Sequence, residues 1–179
     1  NTVLLLPIKK LLIKFCELVV PDKEEQQHTV FLDERIFNNS PLAISECRRL
    51  TNEMAELTRK SLRKSIDLIF NYQQYTVEQI HEEENLSDKY EDKLGTYLVR
   101  LSHNKLSENE SHQVARMLHS IGDFERISDH ALNICKLAEE MHTKGISFSP
   151  EGNHEIGVIG DAVKEITSEF NYNFVTFEK

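Results

Sequence analysis

The feature that most constrains this chain is a helical spacing of apolar residues that covers most of its length. Between residues 43 and 72, apolar side chains recur every three or four positions, with Ser61 and Ser65 filling two places in the stripe. This is the period of an α-helix, and it predicts further helices over about 76–103, 107–142 and from His154 onward. Only 6 glycines and 4 prolines are available for turns, and no segment alternates as a strand does. The sequence therefore predicts an all-α fold, an antiparallel up-and-down helical bundle.

The net charge and the cysteine spacing exclude several kinds of partner and site. The net charge of −9 gives an acidic surface that repels phosphate backbones, so we expect no nucleic acid partner. The cysteines Cys16, Cys47 and Cys135 are far apart and form no C-x-x-C pair. This spacing argues against a disulfide framework and against a thiolate zinc site, and it favours reduced thiols in the cytoplasm.

Carboxylates interrupt the apolar stripes of the second and third predicted helices, at places where core residues belong. In the second helix, one heptad-spaced stripe has apolar ends and an acidic centre made of Glu84, Asp88 and Glu91. In the third helix, a similar stripe contains Glu125 and Asp129. A further apolar stripe on the third helix indicates burial on two sides, so we do not expect its carboxylates to be fully solvated.

An antiparallel pairing of these two helices brings the acidic stripes together. If the turn centres near residues 105 and 106, Glu84 lies level with residue 127, and both acidic pairs share one height within an error of about two to four residues. Two carboxylates about 4 Å apart repel by roughly 4 kcal/mol at an effective dielectric constant near 20, and a bound cation relieves that repulsion. Oxygen ligands favour hard ions such as Mg, Ca, Mn or Fe. We therefore predict a metal site formed by Glu84, Asp88, Glu125 and Asp129.

Two other interpretations of the acidic residues compete with this one. In the first, the second helix presents a solvated acidic face, partly paired with Arg126 or Lys89. In the second, the E-x-x-H motifs at 78–81 and 139–142 form a ferritin-like di-iron site, but the same pairing places them about nine residues, or roughly 13 Å, apart. No glycine-rich loop, nucleophile elbow or phosphate cradle is visible in the sequence, so we predict no enzymatic activity.

The chain opens with Asn1 rather than Met, and we interpret it as a piece of a longer protein. Residues 1–20 are largely apolar, but lysines, a glutamate and Pro7 interrupt them too often for a complete membrane span. They are either the cytoplasmic end of a membrane segment or an amphipathic helix packed on the domain. Residues 21–42 have a proline near each end and are predicted to form a linker with a short ordered piece.

Two stretches, DFERISDHALNICKLAE (123–139) and EEENLSDKYEDKL (82–94), resemble the acidic helices of PhoU domains. The resemblance implies a fold of three-helix repeats, of which residues 43–179 hold one repeat plus the first helix of a second. It also implies iron or zinc bound by carboxylates, which fall here on Glu84, Asp88, Glu125 and Asp129. Asp123 and Asn133 are weaker candidates, and Ser128 stands where a glycine is common.

The opening NTVLLLPIKKLLIKFCELVVP, followed by FLDERIFNNSPLAI, resembles the connecting region of bacterial sodium/phosphate cotransporter family proteins. This resemblance implies a non-enzymatic regulatory domain on the cytoplasmic side of the plasma membrane, whose partner is the membrane transporter region of the same polypeptide. Lys9, Lys10 and Lys14 would then face the cytoplasm, and a homo-oligomer is also compatible with this arrangement. The alternative function is a soluble metal-dependent hydrolase or a ferritin-like di-iron protein.

Overall fold

The computed structural model describes residues 32–168, in which four long α-helices follow a short 3-10 helix at Glu34–Ile36. The helices are α1 (Ser40–Phe70), α2 (Gln74–Ser102), α3 (Glu108–Lys144) and α4 (Pro150–Ser168). The described part contains no strand, which confirms the all-α prediction. The predictions for residues 1–31, including a helix over 1–20 and most of the linker, lie outside the described residues, as do residues 169–179.

Prolines in first turns explain where the predicted helix starts were wrong. We assigned residues 40–42, which include Pro41, to the linker, and we began the fourth helix near His154, beyond Pro150. Both prolines instead lie in the first turn of a helix, where no intrahelical partner exists for a backbone N–H. The Asn39 side chain accepts a hydrogen bond from the Leu42 backbone N–H and caps α1.

Local sequence signals also set the bounds of α3. The Ser107 side chain accepts a hydrogen bond from the Glu110 backbone N–H, and the Glu110 carboxylate accepts one from the Ser107 backbone N–H at 2.8 Å. These bonds form a capping box. At the other end, Gly145 adopts the left-handed conformation with φ of 63°, which a side chain with a Cβ disfavours. The longest helix of the described region is thereby defined at both ends.

Helices α1, α2 and α3 pack against one another as a three-helix bundle, and α4 packs on α1. The α4 interface is tight at Gly160, where an added Cβ would lie 2.9 Å from a methyl carbon of Ile66. Two polar contacts accompany it: Lys164 pairs with Asp67 at 2.5 Å, and Arg63 donates a hydrogen bond to the Lys164 carbonyl. None of the helices within residues 32–168 is long and apolar enough to span a membrane.

The hydrophobic core is divided along the bundle. One cluster occupies the half nearest the α2–α3 turn and extends to Ala55, Tyr90 and Phe124. Two smaller clusters occupy the other half and begin at Leu62, Ile80 and Ala131. Between the two halves lie buried side chains that carry hydroxyl groups, and we call these residues the hydroxyl layer: Thr58, Ser61, Ser87 and Ser128.

The two cysteines of the described region belong to the core. Cys47 and Cys135 are buried and unpaired, and burial raises the pKa of Cys47 to about 12 and that of Cys135 to about 11. Such thiols are neither nucleophiles nor metal ligands near neutral pH. Cys16 lies outside the described residues.

Candidate functional site

The helices that carry the acidic stripes form an antiparallel hairpin, as the sequence predicts. Residues 103–107 connect α2 to α3, close to the predicted turn at 105 and 106. The carboxylate of α3 that influences Glu84 is Asp129, whereas the sequence analysis placed residue 127 level with Glu84. The difference between residues 127 and 129 lies within the predicted error of about two to four residues, so the two acidic pairs share one height.

This register brings all four predicted metal-ligating residues onto one surface. Glu84 and Glu125 are half-buried, whereas Asp88 and Asp129 are exposed. Burial raises the pKa of Glu84, and the negative charges of Asp88 and Asp129 raise it further. Burial likewise raises the pKa of Glu125, with contributions from Asp129 and Asp88. The pKa of each of these two glutamates is therefore raised by a carboxylate of the other helix.

The structure adds a fifth carboxylate that the sequence analysis did not assign to the site. Glu91 is half-buried on α2, and its charge also raises the pKa of Glu125. It lies three residues beyond Asp88 in the same stripe, so the signal was present in the spacing. Its participation depends on how α2 is rotated toward α3, which spacing alone does not give. We call the five residues the acidic patch: Glu84, Asp88, Glu91, Glu125 and Asp129.

Within residues 32–168, no residue of the acidic patch takes part in an ion pair. His81 and Lys136 lie close enough to Glu84 to lower its pKa, but these are the smaller of the influences upon it. Asp123 behaves differently, since it is exposed and pairs with Arg126 at 2.8 Å. On α2, Glu78, Glu82, Asp88 and Asp92 are exposed, as the interpretation of a solvated acidic face expects. Arg126, however, pairs with Asp123 of its own helix and not with α2, and Asn133 is exposed on that same helix.

The donor set of the patch fits a hard cation, because every candidate ligand is a carboxylate. The present side-chain conformations do not form a coordination site. Within the described ranges, no group of three His, Cys, Asp or Glu side chains is arranged to hold a metal ion. A hydrogen bond between Glu125 and Asp129, which forms when one of the two carboxyl groups is protonated, makes the smallest contribution to the raised pKa of Glu125. It joins two side chains of the same helix. Ligation by both helices therefore requires changes of side-chain rotamer.

The E-x-x-H motif at 139–142 is engaged elsewhere, whereas His81 of the motif at 78–81 lies near Glu84. The ring of His142 stacks on that of Tyr72, with centroids 3.9 Å apart and planes inclined by 8°. Glu78 is exposed near the start of α2. These contacts lie at the end of the bundle where α1 joins α2, and they do not involve the acidic patch.

A comparison with known families gives a match over most of the three-helix bundle. Residues 51–138 match the PhoU domain family. This stretch is a PhoU-like domain. The match extends from α1 through α2 into α3 and contains every residue of the acidic patch, so the resemblance seen in residues 82–94 and 123–139 is confirmed for the family. No curated protein and no solved structure matches the chain.

On the PhoU-like domain, a groove of about 840 Å³ lies between α1 and α2, away from the acidic patch. Leu57, Leu86 and Tyr90 contribute its apolar and aromatic lining, and charged residues of both signs surround them. No residue of the acidic patch lines this groove. A substrate held in the groove would therefore not contact the candidate ligands.

Proposed function

We propose that the PhoU-like domain regulates phosphate transport and that it binds a hard divalent or trivalent cation at the acidic patch. The observation that carries this proposal is the set of carboxylates on α2 and α3 that raise the pKa of Glu84 and Glu125 without an ion pair to offset their charge. Like charges held this close must protonate, separate or bind a cation.

A bound cation would neutralise charge and would also link two helices. Because Glu84, Asp88 and Glu91 belong to α2 while Glu125 and Asp129 belong to α3, one ion ligated from both sides links the two helices. The oxygen-only donor set favours Mg, Ca, Mn or Fe over softer ions, and the resemblance to PhoU domains adds iron or zinc. Water is expected to fill the remaining coordination positions, since two of the carboxylates are exposed.

Contacts between α2 and the residues before α1 support a coupling of this site to the predicted linker. Glu34 forms a two-pronged ion pair with Arg100 of α2, with N–O distances of 2.7 and 2.9 Å. Phe37 packs edge-on against Tyr97 of the same helix, with ring centroids 5.4 Å apart. The end of the predicted linker is thus anchored on α2, the helix that carries three residues of the acidic patch.

We infer that the partner is a sodium-dependent phosphate transporter region of the same polypeptide, with the domain on the cytoplasmic side of the membrane. Metal binding at the patch would bias the position of α2, and the anchored linker would transmit that bias. An effect of about 1 to 3 kcal/mol on the transporter equilibrium is usual for such coupling. No catalytic role is proposed, because the groove and the acidic patch are separate.

A titration with Mn²⁺ or Fe²⁺ tests the site. The double variant Asp88→Asn/Asp129→Asn should lose at least about tenfold in affinity while keeping the helical circular dichroism spectrum. Asp123→Asn is the matched control, because Asp123 lies on α3 but pairs outward with Arg126, and its affinity should be unchanged. Equal affinity in all three proteins would disprove the metal assignment.

The same double variant in the parent protein tests the regulatory role. Sodium-dependent phosphate uptake should remain measurable but should respond poorly to phosphate supply. Complete loss of uptake despite normal membrane insertion would instead make the domain part of the transport path. Metal-dependent hydrolysis of a phosphoester by the domain would favour the hydrolase alternative.

A further inference from the structure

The hydroxyl layer lies at the height of the acidic patch. On α1, Thr58 and Ser61 fall between Glu53, which accepts a hydrogen bond from Tyr90 at 3.3 Å, and Lys64, which pairs with Glu83 at 2.6 Å. The α2 ends of these two contacts, Tyr90 and Glu83, bracket Ser87.

The pairing of α2 with α3 places Ser128 in the same layer. A Cβ added at Gly95 of α2 would lie 3.7 Å from the terminal methyl carbon of Ile121 of α3. Two helical turns from that contact, back along α2 and onward along α3, lie Asp88 and Ser128, so the segments around Ser87 and Ser128 face each other. Both serines are at most 1% exposed. The small side chains therefore occupy the interior directly beneath the carboxylates, which project from the outer faces of the same helical turns.

Hydrogen bonding does not explain the choice of residue in the hydroxyl layer. Within residues 32–168, the hydroxyl oxygens of all four residues are buried and have no hydrogen-bond partner. Other buried hydroxyls of α1 do have partners: Thr51 donates to the Cys47 carbonyl and Ser65 to the Leu62 carbonyl, each at 2.8 Å. What the four residues share is a small or short side chain at the point where the apolar core is interrupted.

We propose that Ser87 and Ser128 are positioning residues whose small side chains set the separation of α2 and α3 beneath the acidic patch. The separation of two packed helices depends on the size of the side chains between them and varies over about 8 to 10 Å. Carboxylates that share one ion must each bring an oxygen within roughly 2.0 to 2.6 Å of it. A larger residue in the layer would move the two halves of the patch apart. The inference rests on the proposed function only for the effect on metal affinity, because the separation of α2 and α3 is a property of the metal-free protein.

Substitutions of graded size at residue 128 test the proposal. Ser128→Ala keeps the small volume and should preserve Mn²⁺ affinity within about threefold, whereas Ser128→Leu should weaken it by about tenfold or more. Ala138→Leu is the matched control. Ala138 is also buried on α3, but it lies ten residues away, roughly 15 Å along the helix, so it should strain the core without changing metal affinity.

A second measurement on the metal-free protein separates this proposal from the metal assignment. Spin labels on cysteines introduced at exposed Asn85 of α2 and exposed His130 of α3 report the distance between the helices, in a background where Cys16 is replaced by serine. Cys47 and Cys135 are buried and should not react with the label. The distance should increase in Ser128→Leu and remain unchanged in Ser128→Ala and Ala138→Leu.

The outcomes are distinct. An unchanged distance in Ser128→Leu overturns the positioning role whatever its metal affinity, and so does an equal loss of affinity in Ala138→Leu. An increased distance in a protein that binds no metal even as wild type upholds the positioning role and refutes the metal proposal. If Ser128→Leu does not fold, Ser128→Val and Ser87→Val are measured by the same criteria, because each adds less volume.

Discussion

Carboxylates lie at both interfaces of α2 in the PhoU-like domain, and the interface with α1 differs from the interface with α3 in whether their charges are paired. At the interface with α1, three of the glutamates that line the groove have a cationic neighbour. Arg49 pairs with Glu53 and Arg59 with Glu56 within α1, and Lys64 of α1 pairs with Glu83 of α2. Toward α3, the acidic patch has no ion pair within the described residues, although Glu84 and Glu125 are half-buried. Similar residues therefore have different electrostatic surroundings at the two interfaces of α2.

This contrast distinguishes the paired carboxylates, which stabilise the fold, from those of the acidic patch, which we propose to bind a cation. A half-buried carboxylate with a cation has its charge offset, and its removal is expected to destabilise the bundle. Half-buried carboxylates that have no ion-pair partner repel one another. Replacing them with neutral residues is therefore expected to stabilise the metal-free protein. The sign of a mutational effect on stability therefore tells the two interfaces apart.

The largest effect on stability is expected at the interface with α1. Lys64→Met removes the cation from a pair whose side chains are 31% and 17% exposed, and it leaves Glu83 with one buried oxygen that already lacks a hydrogen-bond partner. We expect the free energy of unfolding to fall by about 1 to 3 kcal/mol, as measured by urea denaturation. Lys60→Met is the control, because Lys60 is 59% exposed and 3.4 Å from Glu56, and it should cost less than about 0.5 kcal/mol. Equal effects would mean that burial does not distinguish the two pairs.

A smaller effect of opposite sign is expected at the interface with α3. In the absence of metal, Asp88→Asn/Asp129→Asn removes two charges that act on Glu84 and Glu125 and keeps the side-chain shape. We expect the metal-free domain to gain up to about 1 kcal/mol in free energy of unfolding near neutral pH, since exposed charges about 4 Å apart repel by roughly this amount. Saturating Mn²⁺ should reverse the order, because only the wild type gains stability from the ligand. Destabilisation without metal would show that the patch is structural.

The features of this comparison that the sequence predicts are those that depend on spacing. The stripes through Asp88 and Asp129 place carboxylates on known helix faces, and the short joint near residue 105 requires an antiparallel hairpin. The exact register and the inclusion of Glu91 depend on how the turn at 103–107 ends each helix and on the rotation of α2. Those quantities follow from packing across the whole interface, not from any local pattern.

The hydroxyl layer shows a second limit of sequence reasoning. Ser61 and Ser65 were recognised as members of an apolar stripe, but the spacing could not reveal that Ser65 bonds to the Leu62 carbonyl while Ser61 finds no partner. Ser87 and Ser128 lie on different helices and become neighbours only through the tertiary fold. Likewise, the ion pair of Glu83 with Lys64 joins residues of two helices, so the sequence pattern of one helix could not reveal it.

The smallest expected effect is in the pH dependence of stability, and it also has opposite signs in the two kinds of carboxylate. Burial and neighbouring negative charge raise the pKa of Glu84 and Glu125, so the folded state holds their protons more tightly than the unfolded chain. Their favourable contribution is present below the ordinary pKa of a glutamate and is lost as the pH rises through the raised value. By contrast, the hydrogen bond from Arg49 lowers the pKa of Glu46, so its contribution is present above the ordinary pKa and is lost as the pH falls.

Unfolding measured at pH 4 and pH 7 in metal-free buffer tests this difference. Glu84→Gln/Glu125→Gln should be more stable relative to the wild type at pH 7 than at pH 4, because the substitution removes a repulsion that exists only when the carboxylates are charged. Glu46→Gln should show the reverse, with a cost at pH 7 of less than about 1 kcal/mol that disappears at pH 4. Because Glu46 belongs to a partly exposed pair of α1, the two variants differ chiefly in the charge of their surroundings. The same sign for both would mean that the acidic patch is neutralised by groups of the protein, and the argument for a bound cation would lose its electrostatic basis.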